Sequence, residues 1–235
     1  MNLLALDTST EWMSVAVQRR GVTTPWQLTQ TGGAQSSTHL IPRIQALMAQ
    51  AELQFEQLDA IVFGAGPGSF TGLRTACSVA QGLAYGAGVP VLPVDTLLAV
   101  AEEARVQLGS ADGLCVTALL DARMDEMYAA SYELKSGLWL MNKGYRLIKP
   151  EDLGWVGVGV LAGNVFDAYG ARLPDGQGVR VRALPSAGAM LRLAPALLQA
   201  GAAVPAALAL PTYIRDKVAQ TTQERAALKA AGSML

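Results

Sequence analysis

Apolar positions along this 235-residue chain fall into short runs, alternations and helical stripes that recur in the same order twice. Residues 2–7 are an apolar run ending on Asp7. Residues 12–19 alternate, with Met13, Val15 and Val17 on one face, which predicts a half-buried strand. Residues 22–30 predict a third strand, pushed to a sheet edge by Pro25 because proline cannot donate to a ladder. In 37–51, Leu40, Ile41, Ile44, Leu47, Met48 and Ala51 recur at helical spacing, and Pro42 fits that helix only near its first turn. Strand 59–64, helix 71–87, strand 90–94 and helix 95–106 follow.

The second half starts the pattern again. Strand 114–120 runs into Asp121, 126–134 returns, and 138–148 is a third strand. A helical stub at 150–153 stands where the first half has a full helix. Strand 156–162, helix 163–170, strand 178–183 and helix 186–201 complete the unit. Each half therefore reads βββαβαβα, and repetition of one supersecondary unit is itself evidence about the fold. The order predicts two mixed α/β sheets that open antiparallel and continue through parallel crossovers. The division is 1–107, 108–215 and a tail, 216–235, that is Ala- and Gln-rich and reads as a short helix or a frayed end. The last helix, 186–201, has the option of packing back on the first half.

The most informative stretch is 58–74, LDAIVFGAGPGSFTGLR. Its glycines (Gly64, Gly66, Gly68, Gly72) and Pro67 lie between a strand and a helix, where such a loop either cradles an anion or sets a close backbone contact. Ser69 or Thr71 is available as the helix N-cap. No Gly-Lys-Ser/Thr follows, and Ser69 stands where a dinucleotide fingerprint needs its last glycine. The structural turn is thus the favoured reading. On the helix, Arg74, Ser78, Gln81 and Tyr85 form a narrow polar strip, and Gly72, Ala76, Ala80 and Ala84 are small enough for another helix to approach closely.

Composition narrows the chemistry. About half of the residues are hydrophobic (51%) and the net charge is −1, which argues against a strongly basic, phosphate-gripping surface. Two distant cysteines, Cys77 and Cys115, form neither a disulfide framework nor a zinc spacing, and both are expected as buried, reduced thiols. The start, MNLLALDTST, reads as a strand rather than a leader, and apolar runs break before spanning length; a cytoplasmic chain away from membranes is expected. His39 is the sole histidine, so no two-histidine metal site can be built from this chain.

Asp7 and Asp121 close the first strand of each half. Paired carboxylates across a cleft can hold a metal–nucleotide complex or act as a base; two aspartates capping turns is at least as good a reading. Thr8 and Ser9 beside Asp7 have hydroxyls suited to phosphate, whereas Arg123 and Met124 beyond Asp121 are bulky. Asp7, Thr8, Ser9, Asp121 and Arg123 are candidates for a vestigial nucleotide cleft.

LLALDTST, STHLIPRIQALM, FGAGPGSFTGLRTACSVAQGLA, LLDARMDEMYAASYE, LAGN and PTYIRDKVA together resemble, in order, the TsaB (YeaZ) family of tRNA threonylcarbamoyladenosine biosynthesis proteins, within the Kae1/TsaD/YeaZ glycoprotease-like group. The signature loop is Gly66, Pro67, Gly68, Ser69, Phe70, Thr71, Gly72 and Arg74, supported by Pro211, Tyr213 and Arg215 near the end. The resemblance implies an actin-like ATPase (ASKHA) fold of two ribonuclease-H-like halves. It implies a non-catalytic subunit that docks on the metalloprotein TsaD, which transfers threonylcarbamoyl to the adenosine beside the tRNA anticodon, with the ATPase TsaE as third component. No cofactor of its own is implied; ATP/ADP and metal belong to the partners, and tRNA is engaged through the complex. Family docking uses helices 37–51 and 71–87, with Leu40, Ile44, Leu47, Met48, Ala76, Ala80 and Ala84 as expected contacts. The same surface predicts a homodimer of the isolated chain. The competing expectation is an enzyme of this fold, a metal-independent peptidase or a nucleotide-dependent kinase.

Overall fold

The computed structural model describes residues 1–110, 112–154 and 159–215. Strands β1 (Leu3–Asp7), β2 (Trp12–Gln18), β3 (Trp26–Thr31), β4 (Ala60–Gly66) and β5 (Val91–Asp95) form one sheet, ordered β3-β2-β1-β4-β5. Strands β6 (Cys115–Arg123), β7 (Glu126–Lys135), β8 (Leu138–Ile148), β9 (Val160–Gly163) and β10 (Val179–Arg182) form the second, ordered β10-β9-β6-β7-β8. Read in the opposite direction the two orders are identical, strand for strand. In both, the opening three strands pair antiparallel and the later ones parallel. This duplicated topology is that of the actin-like ATPase fold. Strand β3 stands at the sheet edge as expected, but it begins at Trp26, so Pro25 lies just before the strand rather than within it.

Among the described residues, five α-helices accompany the sheets: α1 (Ser36–Gln50), α2 (Phe70–Ala87), α3 (Thr96–Leu108), α4 (Phe166–Tyr169) and α5 (Ala187–Gln199). Side chains alternate along β1, so Leu4 and Leu6 face α1 and α2, while Leu3 and Ala5 face α5. Helix α3 leaves the first half to cover the second sheet, with Leu97, Val100, Ala101 and Ala104 against Val116, Ala118 and Tyr132. Helix α5 returns to cover the first sheet. The layers are therefore α1/α2, sheet, α5/α3, sheet, and then α4 with a 3-10 turn at Pro150–Leu153.

Capping fixes the helix ends. Ser69 caps α2, its hydroxyl accepting from the Gly72 N–H at 3.5 Å, and Asp95 caps α3 through the Leu97 N–H at 2.9 Å; a cap of this kind is worth about 1 kcal/mol. Gly88 and Gly109 end α2 and α3 in the left-handed region.

Several sequence expectations change. Pro42 sits in the second turn of α1, not near the first; it faces solvent, where water can take the Thr38 carbonyl that proline leaves free. Ile41 is exposed and outside the buried stripe. Cys77 is buried as expected, but Cys115 is exposed at the head of β6. The helix expected over 163–170 is the single turn α4, because Gly163 is still paired in β9 with Leu119 and Arg182. Strand β9 starts at Val160; residues 155–158 of the expected strand and the whole tail from 216 lie outside the described residues.

Candidate functional site

The glycine loop after β4 sets a close backbone contact. The Ser69 N–H donates to the Ser9 carbonyl at 2.7 Å, and the Thr8 hydroxyl donates to the Gly72 carbonyl at 2.6 Å. A Cβ on Gly68 would lie 2.6 Å from the Ser9 carbonyl oxygen, and one on Gly72 would overlap the Thr8 carbonyl. These glycines are therefore required by the β1–β2 turn pressed against them. The turn's hydroxyls are committed as well. Ser9 Oγ donates to Asp7 Oδ1 at 2.8 Å, and Thr10 Oγ1 accepts from the Trp12 N–H at 3.1 Å. The Thr8 and Ser9 hydroxyls that resembled phosphate contacts thus donate to the protein itself.

Asp7 is buried, and its Oδ1 also accepts the Ser9 N–H at 3.0 Å. Among the described residues its Oδ2 has no hydrogen-bond partner, and it lies over Gly64, where a Cβ would collide with it. Burial pushes the carboxyl up to about 7, only partly offset by the two bonds from Ser9. Asp7 is absent from the cleft wall whereas Asp121 lines it, which corrects the idea of two carboxylates facing each other across a cleft. Both aspartates do cap their turns, Asp121 Oδ1 accepting the Arg123 N–H at 2.8 Å.

The facing hairpin, between β6 and β7, is strained. Arg123, Met124 and Asp125 take φ of 62°, 55° and 65°, a left-handed run of three non-glycine residues; such a conformation costs roughly 1 kcal/mol per residue. It is braced on several sides. Asp121 accepts from the Tyr169 hydroxyl at 2.9 Å, and its N–H donates to Asn164 Oδ1 at 2.9 Å. Arg172 pairs with Asp125. Arg215 Nη2 donates to the Ala122 and Arg123 carbonyls at 3.1 and 3.3 Å and to Glu126 Oε2 at 2.7 Å.

Between the two turns lies a cleft of about 480 Å³, walled by Thr8, Ser9, Phe70, Arg123, Asn164 and Arg215 among others. Thr8, Ser9, Asp121 and Arg123 are thus brought to one place, with the loop Gly68–Leu73. Sequence reasoning gave no site role to Asn164, Thr212, Tyr213 or Arg215. The LAGN motif occupies in the second half the position that the glycine loop holds in the first, and that repeat was the available signal.

The seven expected docking residues are not on an outer face. Leu40, Ile44, Leu47, Met48, Ala76, Ala80 and Ala84 are all buried in this chain's own core, 0–7% exposed. The small residues of α2 face inward beside α1 and β4, so their size serves packing within the chain. The outward faces carry Ile41 on α1 and Phe70, Arg74, Ser78 and Tyr85 on α2, with Tyr85 82% exposed.

Residues 28–167 match the family model described as TsaD: tRNA N6-adenosine threonylcarbamoyltransferase. The chain is 33% identical over 233 residues to the tRNA threonylcarbamoyladenosine biosynthesis protein TsaB of Escherichia coli, covering 93% of this chain and 96% of that protein. It is 44% identical over 128 residues to TsaB of Haemophilus influenzae, covering 54% of this chain and 52% of that protein. The structure of YeaZ from Pseudomonas aeruginosa superposes with a TM-score of 0.82 at 35% identity, over 91% of this chain and 99% of that one. The duplicated sheets, the GPGSFTGLR loop folded onto its own turn, and these similarities agree: the chain belongs to the TsaB (YeaZ) family of tRNA threonylcarbamoyladenosine biosynthesis proteins.

Proposed function

We propose that this chain is a non-catalytic subunit in tRNA threonylcarbamoyladenosine synthesis, docking on TsaD and working with TsaE. The observation that carries the reading is that the Thr8 and Ser9 hydroxyls donate to the chain's own atoms, where a kinase of this fold would hold phosphate. The single histidine adds to it, since a two-histidine metal centre needs a second. ATP, ADP and metal then belong to TsaD and TsaE, and tRNA is met through the complex in the cytoplasm. Docking uses the outward faces of α1 and α2, around Ile41, Ser78 and Tyr85, and the same faces pair two copies when the chain is alone.

The test is reconstitution. The purified chain is assayed for threonylcarbamoyl transfer to tRNA alone, with TsaD, and with TsaD and TsaE. Activity is expected only in the mixtures, and omission of this chain should lower it strongly. Turnover by the chain alone, or no change on its omission, overturns the proposal. Sedimentation at micromolar concentration should show dimer; monomer alone removes the self-pairing.

A further inference from the structure

We infer that residues 204–215 form a strap holding the two halves at one cleft width, with Arg215 as its clasp. The inference does not depend on the proposed partner.

The strap is rooted on the first half. Val204 exchanges both backbone bonds with Val91, at 3.0 and 2.8 Å. Gln81 Nε2 on α2 donates to the Ala206 and Ala209 carbonyls at 3.2 and 3.0 Å. The Thr212 N–H donates to the Ala65 carbonyl at 2.6 Å. A Cβ on Gly66 would stand 2.5 Å from the Thr212 carbonyl oxygen, and Gly66 has φ of +120°, so the strap's path requires glycine there twice over. At the cleft rim Tyr213 accepts from Arg74 Nε at 3.0 Å and stacks on Phe70, ring centroids 5.3 Å apart.

The strap then crosses. Ile214 packs into the core of the second half. Arg215, its side chain only 11% exposed, grips the strained hairpin through two carbonyls, Glu126 and the Met124 sulfur. Other bonds between the halves run through α3, such as Tyr132 to Asp95 and Trp139 to Glu102, and through α5, where the Ala187 N–H donates to Ser14 Oγ at 2.9 Å. The strap is thus a separate tether reaching the cleft mouth. It adds a third crossing, at the cleft mouth, to the layer of α3 and α5 about which the halves could otherwise hinge. The left-handed turn 123–125 is held from the carbonyl side by a group that arrives from across the cleft. Release of the clasp frees the turn and the cleft together.

Hydrogen exchange and small-angle scattering on the full chain test this. Arg215→Ala should speed exchange across Arg123–Glu126 by about tenfold or more and enlarge the radius of gyration, while β1 and β6 keep their protection. Arg215→Lys, which retains the Glu126 ion pair without the fork to the carbonyls, should fall between. Tyr213→Ala removes only the first-half side-chain anchor nearest the clasp, yet should loosen the hairpin in the same direction. Hairpin exchange within twofold of the unmodified chain in Arg215→Ala overturns the inference. So does an unaltered hairpin in Tyr213→Ala, because Arg215 would then be a local brace. A parallel rise across both sheets also overturns it, since that is general destabilisation rather than opening.

Discussion

Asp7 shows how far one residue can depart from its ordinary chemistry inside a fold that has turned it away from solvent. Its carboxyl titrates near 7 in the folded chain and near 3.8 when unfolded. The folded state therefore binds more protons between those values, so Asp7 favours folding in acid and that contribution disappears as pH rises through 7. The full difference is on the order of 4 kcal/mol. Asp7→Asn should flatten this dependence and raise stability at pH 8 relative to pH 5, as read by urea denaturation at both. An unchanged slope would mean that the carboxyl is not held in apolar surroundings. The thiols offer a second residue-scale check. Cys115 should react rapidly with an aromatic disulfide reagent in the native protein, and Cys77 only on unfolding.

Helix α2 is where legibility from sequence ended. Its extent and its apolar face followed from spacing, and its Ser69 cap was one of the two offered by capping rules, because those are local. Which neighbour covers the small residues did not, because helix–helix contact depends on where α1 and β4 lie in space. Ala80 is fully buried, so Ala80→Glu should cost roughly 3 kcal/mol or more through a buried unpaired charge. Ser78→Glu and Tyr85→Glu, on the exposed face, should change stability by less than about 0.5 kcal/mol. They should nonetheless weaken co-elution with TsaD if that face docks. Thermal denaturation beside size-exclusion chromatography separates the two classes. The glycine loop was legible in the same partial way. The absence of Walker and dinucleotide signatures pointed to a turn, but only the bond from Thr8 to Gly72 shows what the turn is pressed against. Arg215 was visible as part of a motif, while its grip on a hairpin about 90 residues earlier was not, since nothing local encodes a contact at that separation.

At the scale of the molecule, the two halves are joined through charged as well as apolar contacts. Glu102 on α3 is almost fully buried and accepts from Arg105 and Arg192, both within 2.9 Å, and from Trp139 Nε1 at 3.1 Å. Burial alone would push this carboxyl up; the bonds from Arg105, Trp139 and Arg192 outweigh it and hold it below the usual carboxylate range. Its stabilising contribution is present above the ordinary value of 4.5 and is lost as pH falls through the lowered one. Glu102→Ala removes the acceptor shared by Arg105, Arg192 and the Trp139 indole N–H, leaving Arg192 its pair with Glu103 and Arg105 its bond to the Ser110 carbonyl, and should cost roughly 2 kcal/mol, seen as a lower thermal midpoint at pH 7. A midpoint within a degree of the unmodified chain would show that the network is replaceable by water.

The exchange of α3 and α5 between sheets has a consequence for how the chain can be divided. Each half contributes the helix that roofs the other, so neither sheet is complete within its own stretch of sequence. A gene cut at the turn after α3, near Gly109, would yield an amino-terminal fragment whose Leu3, Ala5, Ala60 and Val62 lie bare to water. The carboxy-terminal fragment would lack the cover over Val116 and Ala118. Made separately, both should aggregate; made together, they should recover one another as a non-covalent pair. The duplication is therefore visible in topology but no longer separable in substance: the two copies have become each other's cores.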